Sequence, residues 1–125
     1  MKSKTKKVTK SELQKKLWKL LSEKIRKERP MCELCKIKPA TQVHHIFSRR
    51  FKSTMFDEDN LISICNGCHL KTHIDPEWAR RKVIEKIGEE KYDELYQKAH
   101  NTTLDWSLQE YLEAIAKLSE TSSKS

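Results

Sequence analysis

Four cysteines occur as two C-x2-C pairs, Cys32 with Cys35 and Cys65 with Cys68. Each pair can present two thiolates from one tight turn, and zinc binds four such ligands in a tetrahedron. The alternatives are two redox dithiols or buried free cysteines, but no thioredoxin-like strand–helix–strand pattern surrounds either pair. The spacing therefore predicts a structural zinc site with no open coordination position.

Four of the five histidines follow the first pair: His44, His45, His69 and His73. On a helix, His69 and His73 are spaced i, i+4, so both imidazoles project from one face and suit a metal ion. Adjacent residues of a strand point to opposite sides, so one of His44 and His45 can bind metal while the other acts as a base. The alternative is four surface or core histidines. The pattern predicts a second metal site with open positions, as catalysis requires.

Three segments together resemble the HNH endonuclease family: VHHI at 43–46, DNLI around Asn60, and CNGCHLKTH at 65–73. The resemblance covers residues 32–73. The histidine motif is similar to the His-rich form found in colicin DNases, and the flanking C-x2-C pairs are similar to those of zinc-stabilised members. More loosely, HHIFSRRFKSTMFDEDNLISIC and IGEEKYDEL resemble phage-encoded HNH nucleases of the recombination-endonuclease type. The resemblance implies a ββα-metal fold, with two strands and one helix around a single divalent ion.

The resemblance also implies a role for each residue of the motif. His44, His69 and His73 are the implied ligands of the catalytic ion, which is Mg²⁺, Mn²⁺, Ni²⁺ or Zn²⁺. His45 is the implied general base that takes a proton from water. Asn60 is implied to pin the loop between the strands and to orient that base. A turn residue and a metal ligand remain alternatives for Asn60.

Four basic side chains lie near the motif and are candidate DNA contacts: Arg49, Arg50, Lys52 and Lys71. A guanidinium can bind a phosphate as a bidentate donor, which makes the two arginines the more specific candidates. The alternative for each of them is a solvated basic loop.

Hydrophobic spacing and capping residues predict the elements that position these side chains. We expect an α+β fold, mostly α, with a ββα-metal core, a four-cysteine zinc site and flanking helices. Strands are predicted near 41–45 and 61–64, and helices at 12–28, 67–73, from Pro76 to a cap at Gly88, 89–99 and 107–118. The predicted N-terminal caps are Ser11 with Gln14, Asn66, Asp75, and Ser107 with Glu110.

The length of 125 residues predicts one domain. We expect a disordered basic arm at 1–10, a single domain at 11–118 and a disordered tail at 119–125. Within the domain, the expected parts are a basic helix at 11–29, the zinc and ββα-metal core at 30–75, and C-terminal helices at 76–118.

The net charge of +8 is concentrated at one end of the chain. Residues 1–29 hold 12 Lys and Arg against three Glu, whereas residues 30–75 hold six basic and five acidic residues. A basic arm on a nearly neutral body is typical of a nucleic-acid binder, although a solubilising tail is the alternative. The hydrophobic share of 36% predicts a small core, which zinc would supplement. Two glycines exclude a glycine-rich phosphate loop.

No apolar run is long enough for a membrane span or a secretory signal, so we expect a cytoplasmic protein, in the bacterial host of a phage or mobile element. The leading hypothesis is a metal-dependent HNH DNA endonuclease that hydrolyses phosphodiester bonds in phage recombination or packaging. The alternatives are a non-catalytic zinc-stabilised DNA-binding module and an adaptor of a phage packaging or recombination complex. His45 separates the first two hypotheses, because only hydrolysis needs a base beside the metal.

Overall fold

The computed structural model describes residues 8–101 and 105–124, with side chains up to residue 120. Most of the predicted basic arm, residues 1–7, lies outside the described residues. The elements are α1 (Lys10–Glu28), β1 (Gln42–His45), β2 (Leu61–Ile64), α2 (Asn66–Ile74), α3 (Pro76–Ile87), α4 (Glu89–Asn101) and α5 (Leu108–Lys124), with a 3-10 turn (Glu58–Asn60) before β2. The chain is therefore a mostly helical α+β protein with a small two-stranded sheet, as predicted.

The chain divides into two compact units, residues 22–105 and residues 1–21 with 106–125. The first unit contains all four cysteines and the four histidines of the motif. The single domain over 11–118 stays a prediction. Helix α5 continues to Lys124, past the end at 118 that the sequence predicts, so residues 119–124 are helical here rather than an unstructured tail.

The unit formed by the two chain ends buries one stripe of each of its helices. In α1, Leu13, Leu17 and Leu21 are buried at helical spacing, and α5 buries Tyr111 and Ile115. The charged residues between them stay exposed, so the apolar period of the sequence corresponds to the buried faces.

Reciprocal capping boxes begin both of these helices. At the start of α1, the backbone N–H of Glu12 donates to Thr9 Oγ1 at 3.2 Å, and Thr9 N donates to Glu12 Oε1 at 3.1 Å. The predicted Ser11 cap is wrong, because the helix begins before Ser11. The predicted Ser107–Glu110 cap of α5 is confirmed by the same pair of bonds, 3.1 and 2.8 Å long.

The two strands are antiparallel, and His44 pairs with Ile62 while His45 pairs with Leu61. Strand β2 is buried along its whole length, whereas β1 is half-buried. Ile62 and Ile64 join a core that contains three of the cysteines; its buried members are Cys32, Leu34, Ile62, Ile64, Cys65, Cys68 and Val83. The cysteines and the apolar core of this unit are therefore continuous.

The turn between α2 and α3 is encoded locally. Asp75 caps α3 by accepting a bond from Trp78 N at 3.1 Å, and Pro76 occupies the first turn of that helix. Gly88 ends α3 with a backbone φ of 90°, which residues other than glycine rarely adopt. Both caps confirm the prediction. The cap of α2 is Cys65 rather than the predicted Asn66, which is the first residue of that helix.

Ser63 offers a test of this core. Its side chain is fully buried in β2, and its hydroxyl oxygen has no hydrogen-bond partner among the described residues. A buried hydroxyl without a partner costs about 1–3 kcal/mol. We expect Ser63→Ala to leave the free energy of unfolding unchanged or to raise it by about 1 kcal/mol, measured by urea denaturation. A loss of more than 1 kcal/mol, with Ser11→Ala as an exposed control, would contradict this interpretation of β2.

Within the described residues, no helix is both long enough and apolar enough to cross a membrane.

Candidate functional site

The four cysteine sulfurs lie within 4.8 Å of one another, and all four cysteines are free of disulfides. Cys35 Sγ and Cys65 Sγ, from different pairs, are 3.9 Å apart. Two thiolates on one tetrahedral zinc at Zn–S of about 2.3 Å are about 3.8 Å apart. The observed separation therefore fits a zinc ion, and these four residues would hold it.

Local backbone bonds shape both cysteine turns. Cys35 N donates to Cys32 Sγ, and Cys68 N donates to Cys65 Sγ, each at 3.4 Å. Lys36 follows the first pair with φ of 60°, in the left-handed region, and its N–H donates to Cys32 O at 2.9 Å. These turns point each pair of sulfurs toward one place.

The pKa values of two thiols in the cluster are shifted in opposite directions. The N–H groups of Ile37 and Lys38 lower the pKa of Cys35 to about 6. Burial, and then the neighbouring sulfurs, raise the pKa of Cys68. Negative charge on one sulfur thus disfavours negative charge on the next, and a divalent cation in the centre removes that repulsion.

Glu33 ties the first cysteine turn to the rest of its unit. Its carboxylate accepts from Ser63 N in β2 at 2.6 Å and forms ion pairs with Arg29 at 3.3 Å and Lys86 at 2.9 Å. Burial raises the pKa of Glu33, but the Ser63 N–H and the two cations outweigh it and lower the pKa overall. The sequence analysis missed this network, because its members are far apart along the chain.

Three histidines of the motif gather beside β1. The ring centroids of His44 and His69 are 5.7 Å apart, those of His44 and His73 are 6.3 Å apart, and those of His69 and His73 are 4.8 Å apart. The Nε2 atoms of His69 and His73 approach to 3.4 Å. In the described part of the chain, only the four cysteines bring three or more ligand atoms within a single ion's reach. The rings are thus neighbours without converging on one point.

The ionisation of these rings fits a metal ligand. Burial, followed by the nearby His69 and His73, lowers the pKa of His44 to about 4. Burial and His73 also lower the pKa of His69. His44 is therefore neutral at pH 7, which is the form of imidazole that binds a metal.

His45 contacts different groups from its neighbour His44. Its Nε2 lies 3.0 Å from the backbone oxygen of Met55. A carbonyl only accepts hydrogen bonds, so Nε2 carries the hydrogen and Nδ1 is the nitrogen that can take up a proton. Burial lowers the pKa of His45, the Met55 carbonyl opposes that shift, and Arg49 adds to it. The ring is therefore neutral at pH 7 and oriented.

Asn60 is fully buried and bonds only to the loop that follows β1. Its Oδ1 accepts from Phe47 N at 2.8 Å, and its Nδ2 donates to Phe47 O and to Thr54 O, both at 3.0 Å. Thr54 directly precedes Met55, whose carbonyl holds His45. The amide therefore joins both ends of the loop whose Met55 carbonyl lies against His45.

We expect Asn60→Asp to lower the free energy of unfolding by at least about 2 kcal/mol at pH 7. The aspartate keeps the shape of asparagine but loses both donors and places a carboxylate against two carbonyl oxygens, each a penalty of about 1–3 kcal/mol. Urea denaturation measures the change, and Asn66→Asp at the exposed start of α2 is the control. Equal, small effects of the two substitutions would contradict the role of Asn60.

The candidate DNA contacts lie on the surface around these histidines. Arg49, Arg50 and Lys71 are exposed, and Lys52 is half-buried. The Arg50 guanidinium lies 4.9 Å from the Phe51 ring centroid, and Lys71 Nζ lies 4.4 Å from that of Trp78. Their contact with DNA stays a prediction.

His44 also lines a cavity of about 270 Å³ that the sequence analysis missed. The cavity lies between the sheet and helices α2, α3 and α4, and its walls include Ile46, Ile62, Thr72, Arg80 and Tyr92. No pattern in the sequence indicates it, since the spacing of these residues matches no motif. Only the packing of α3 and α4 beside the motif reveals it.

The arrangement combines a cysteine cluster that fits zinc, three neighbouring histidines, and a fourth histidine whose ring lies against a backbone carbonyl. Residues 32–75, which include all of these residues, match the family model of the HNH endonuclease family. No curated protein and no solved structure gives a significant match to the chain. The family supports a nuclease-type function.

Proposed function

We propose that this protein is a metal-dependent DNA endonuclease of the HNH type, with His45 as its general base. The observation that carries the proposal is the arrangement around β1. His44 lies beside His69 and His73, while His45 is held by Met55 O at 3.0 Å. Two adjacent histidines thus have separate partners, which matches the division between metal binding and proton transfer. The order of two strands and a helix supports a ββα-metal core.

The chain's own histidines offer the donor types of a catalytic divalent ion, and the three rings would have to turn toward one point to bind it. His44, His69 and His73 would hold it, because their rings are mutual neighbours and His44 is neutral at pH 7. Bound there, the ion supplies charge neutralisation at the phosphate as the transition state develops. Imidazole ligands favour Ni²⁺ or Zn²⁺, whereas Mg²⁺ and Mn²⁺ prefer oxygen ligands.

His45 takes the proton of the attacking water on Nδ1. Its Nε2–H remains bonded to Met55 O, so the ring keeps its orientation as it becomes positive. Asn60 is a positioning residue that acts through the loop, because its three bonds hold Phe47 and Thr54, and Thr54 directly precedes Met55. General-base catalysis of this kind contributes about 10²–10⁴-fold in rate.

The remaining residues hold the fold and the substrate. Zinc at the four cysteines would join the turn before β1 to the start of α2, which carries His69 and His73. The basic residues at 1–29, with Arg49, Arg50, Lys52 and Lys71, provide cations for the DNA backbone, so binding should weaken steeply with salt. A non-catalytic binding module has no use for an oriented base. The phage origin and the recombination or packaging partners stay predictions.

Substitution of His73 tests this proposal. We expect His73→Ala to lose the catalytic ion and plasmid cutting while zinc at the four cysteines and the thermal melt stay unchanged, because exposed His73 supports no core. Metal content by mass spectrometry and conversion of supercoiled plasmid are the two measurements, and His100→Ala is the matched control outside the cluster. Undiminished cutting by His73→Ala would refute the assigned metal site.

A further inference from the structure

The cavity beside His44 has a mostly apolar wall and a cationic rim. Ile46, Ile62 and Val83 form apolar parts of its surface, and Arg80 of α3 is exposed at its edge. Its volume of about 270 Å³ lies just below the roughly 300–1,000 Å³ of typical small-molecule sites. It therefore suits a single small organic unit rather than a helix or a strand of a partner protein.

Arg80 and Arg81 differ from the two lysines of their helix, and of these two arginines only Arg80 lines the cavity. Lys82 pairs with Glu85, and Lys86 pairs with Glu33. Arg80, by contrast, has no carboxylate partner in the described ranges, and its guanidinium lies 5.6 Å from the ring centroid of Tyr92. A planar guanidinium without a counter-ion, at the edge of a cavity, is suited to bind a phosphate through two parallel donors.

Tyr92 supplies an aromatic wall. The ring centroids of Tyr92 and Phe47 are 5.0 Å apart, and the backbone N–H of Phe47 donates to Asn60 Oδ1. The contact with Phe47 therefore fixes the Tyr92 ring, which also lines the cavity. Nucleobases stack on such rings with little dependence on sequence, because every base has a π-face.

We propose that this cavity is a nucleotide-binding subsite, which takes the sugar and base of one nucleotide of the strand being cut while Arg80 binds the phosphate of that nucleotide. The inference rests on the proposed function, because His44 belongs to both the cavity and the metal site. A cavity of this size admits a base only after it has left the duplex stack. The nucleotide beside the cut is therefore unpaired when it occupies the subsite.

Binding of small probes tests the subsite without DNA cutting. The full chain with its zinc, carrying His45→Ala, is titrated with thymidine 5′-monophosphate and with deoxyribose 5-phosphate in the presence of Mg²⁺. We expect Arg80→Ala to weaken both ligands by about tenfold or more, since each loses a charge-assisted pair. Arg81→Ala, the matched control on the same helix outside the cavity, should change either dissociation constant by less than about threefold.

A larger side chain inside the cavity distinguishes the contribution of the base to binding from that of the phosphate. Ala79 lines the cavity, so Ala79→Phe should weaken thymidine 5′-monophosphate about tenfold and leave deoxyribose 5-phosphate nearly unchanged. If Ala79→Phe melts early, the smaller Ala79→Met makes the same comparison. Equal effects of Arg80→Ala and Arg81→Ala, or no effect of a folded Ala79 variant on thymidine 5′-monophosphate, would overturn the subsite.

These outcomes are distinct from failure of the proposed function. If the parent chain cuts no DNA but the binding differences hold, the nuclease assignment fails and the nucleotide subsite stands. If the parent chain cuts DNA and the Arg80→Ala and Arg81→Ala variants cut equally fast, the subsite fails and the nuclease assignment stands.

Discussion

Replacement of His45 by alanine should lower the rate of DNA cutting by about 10²–10⁴-fold, the range typical of a general base. In the proposed mechanism Nδ1 of this ring takes the proton of the attacking water, while Nε2 lies 3.0 Å from Met55 O. The proposed metal ligands His44, His69 and His73 are untouched by the substitution. The catalytic ion and the four-cysteine zinc should therefore bind as in the parent chain.

His45→Gln is the matched control for this substitution. Glutamine keeps a donor for the Met55 carbonyl but has no nitrogen basic enough to take a proton. We expect both variants to be inactive, with parent-like thermal melts and metal contents, in single-turnover cutting assays at matched metal concentration. Parent-like cutting by His45→Ala would exclude His45 as the base, and rescue by glutamine would show that the ring acts only by holding the loop.

Loss of zinc should unfold the unit formed by residues 22–105. Structural zinc contributes about 10–16 kcal/mol in small domains, which equals or exceeds the whole stability of about 5–15 kcal/mol of a typical domain. The cysteines belong to the core of this unit, next to Ile62 and Ile64. We therefore expect Cys35→Ser, or a strong zinc chelator, to remove most of the helical circular-dichroism signal of α2, α3 and α4.

Cys35→His is the matched control, because a Cys₃His site still binds zinc tetrahedrally. It should keep the helical signal and one zinc per chain. Zinc added back after chelation should restore the signal of the parent chain. A metal-free Cys35→Ser variant with a parent-like melt would show that the core alone holds this unit and would refute the structural zinc.

The features that sequence predicted well are those encoded by short spacings. The C-x2-C pairs meet with Cys35 and Cys65 sulfurs 3.9 Å apart, and both strands lie close to the predicted 41–45 and 61–64. Asp75 and Gly88 bound α3 as predicted, since a cap needs only its own helix. Local chemistry was sufficient in each of these cases.

The features that sequence missed depend on distant groups or on backbone atoms. The cap of α2 is the sulfur of Cys65, where the sequence predicted the more usual Asn66. The partner of His45 is a backbone carbonyl, which no residue type reveals. The cavity at Arg80 arises only from tertiary packing.

Cutting of supercoiled plasmid by the purified, zinc-loaded chain, with and without an added divalent ion, tests the central claim most directly. We predict nicked or linear DNA in Mn²⁺, Ni²⁺, Zn²⁺ or Mg²⁺, and intact plasmid after the added ion is removed with the cysteine zinc retained. Re-addition of the ion should restore cutting. Intact plasmid with every ion, or equal cutting with and without one, would contradict the assignment of this protein as a metal-dependent nuclease.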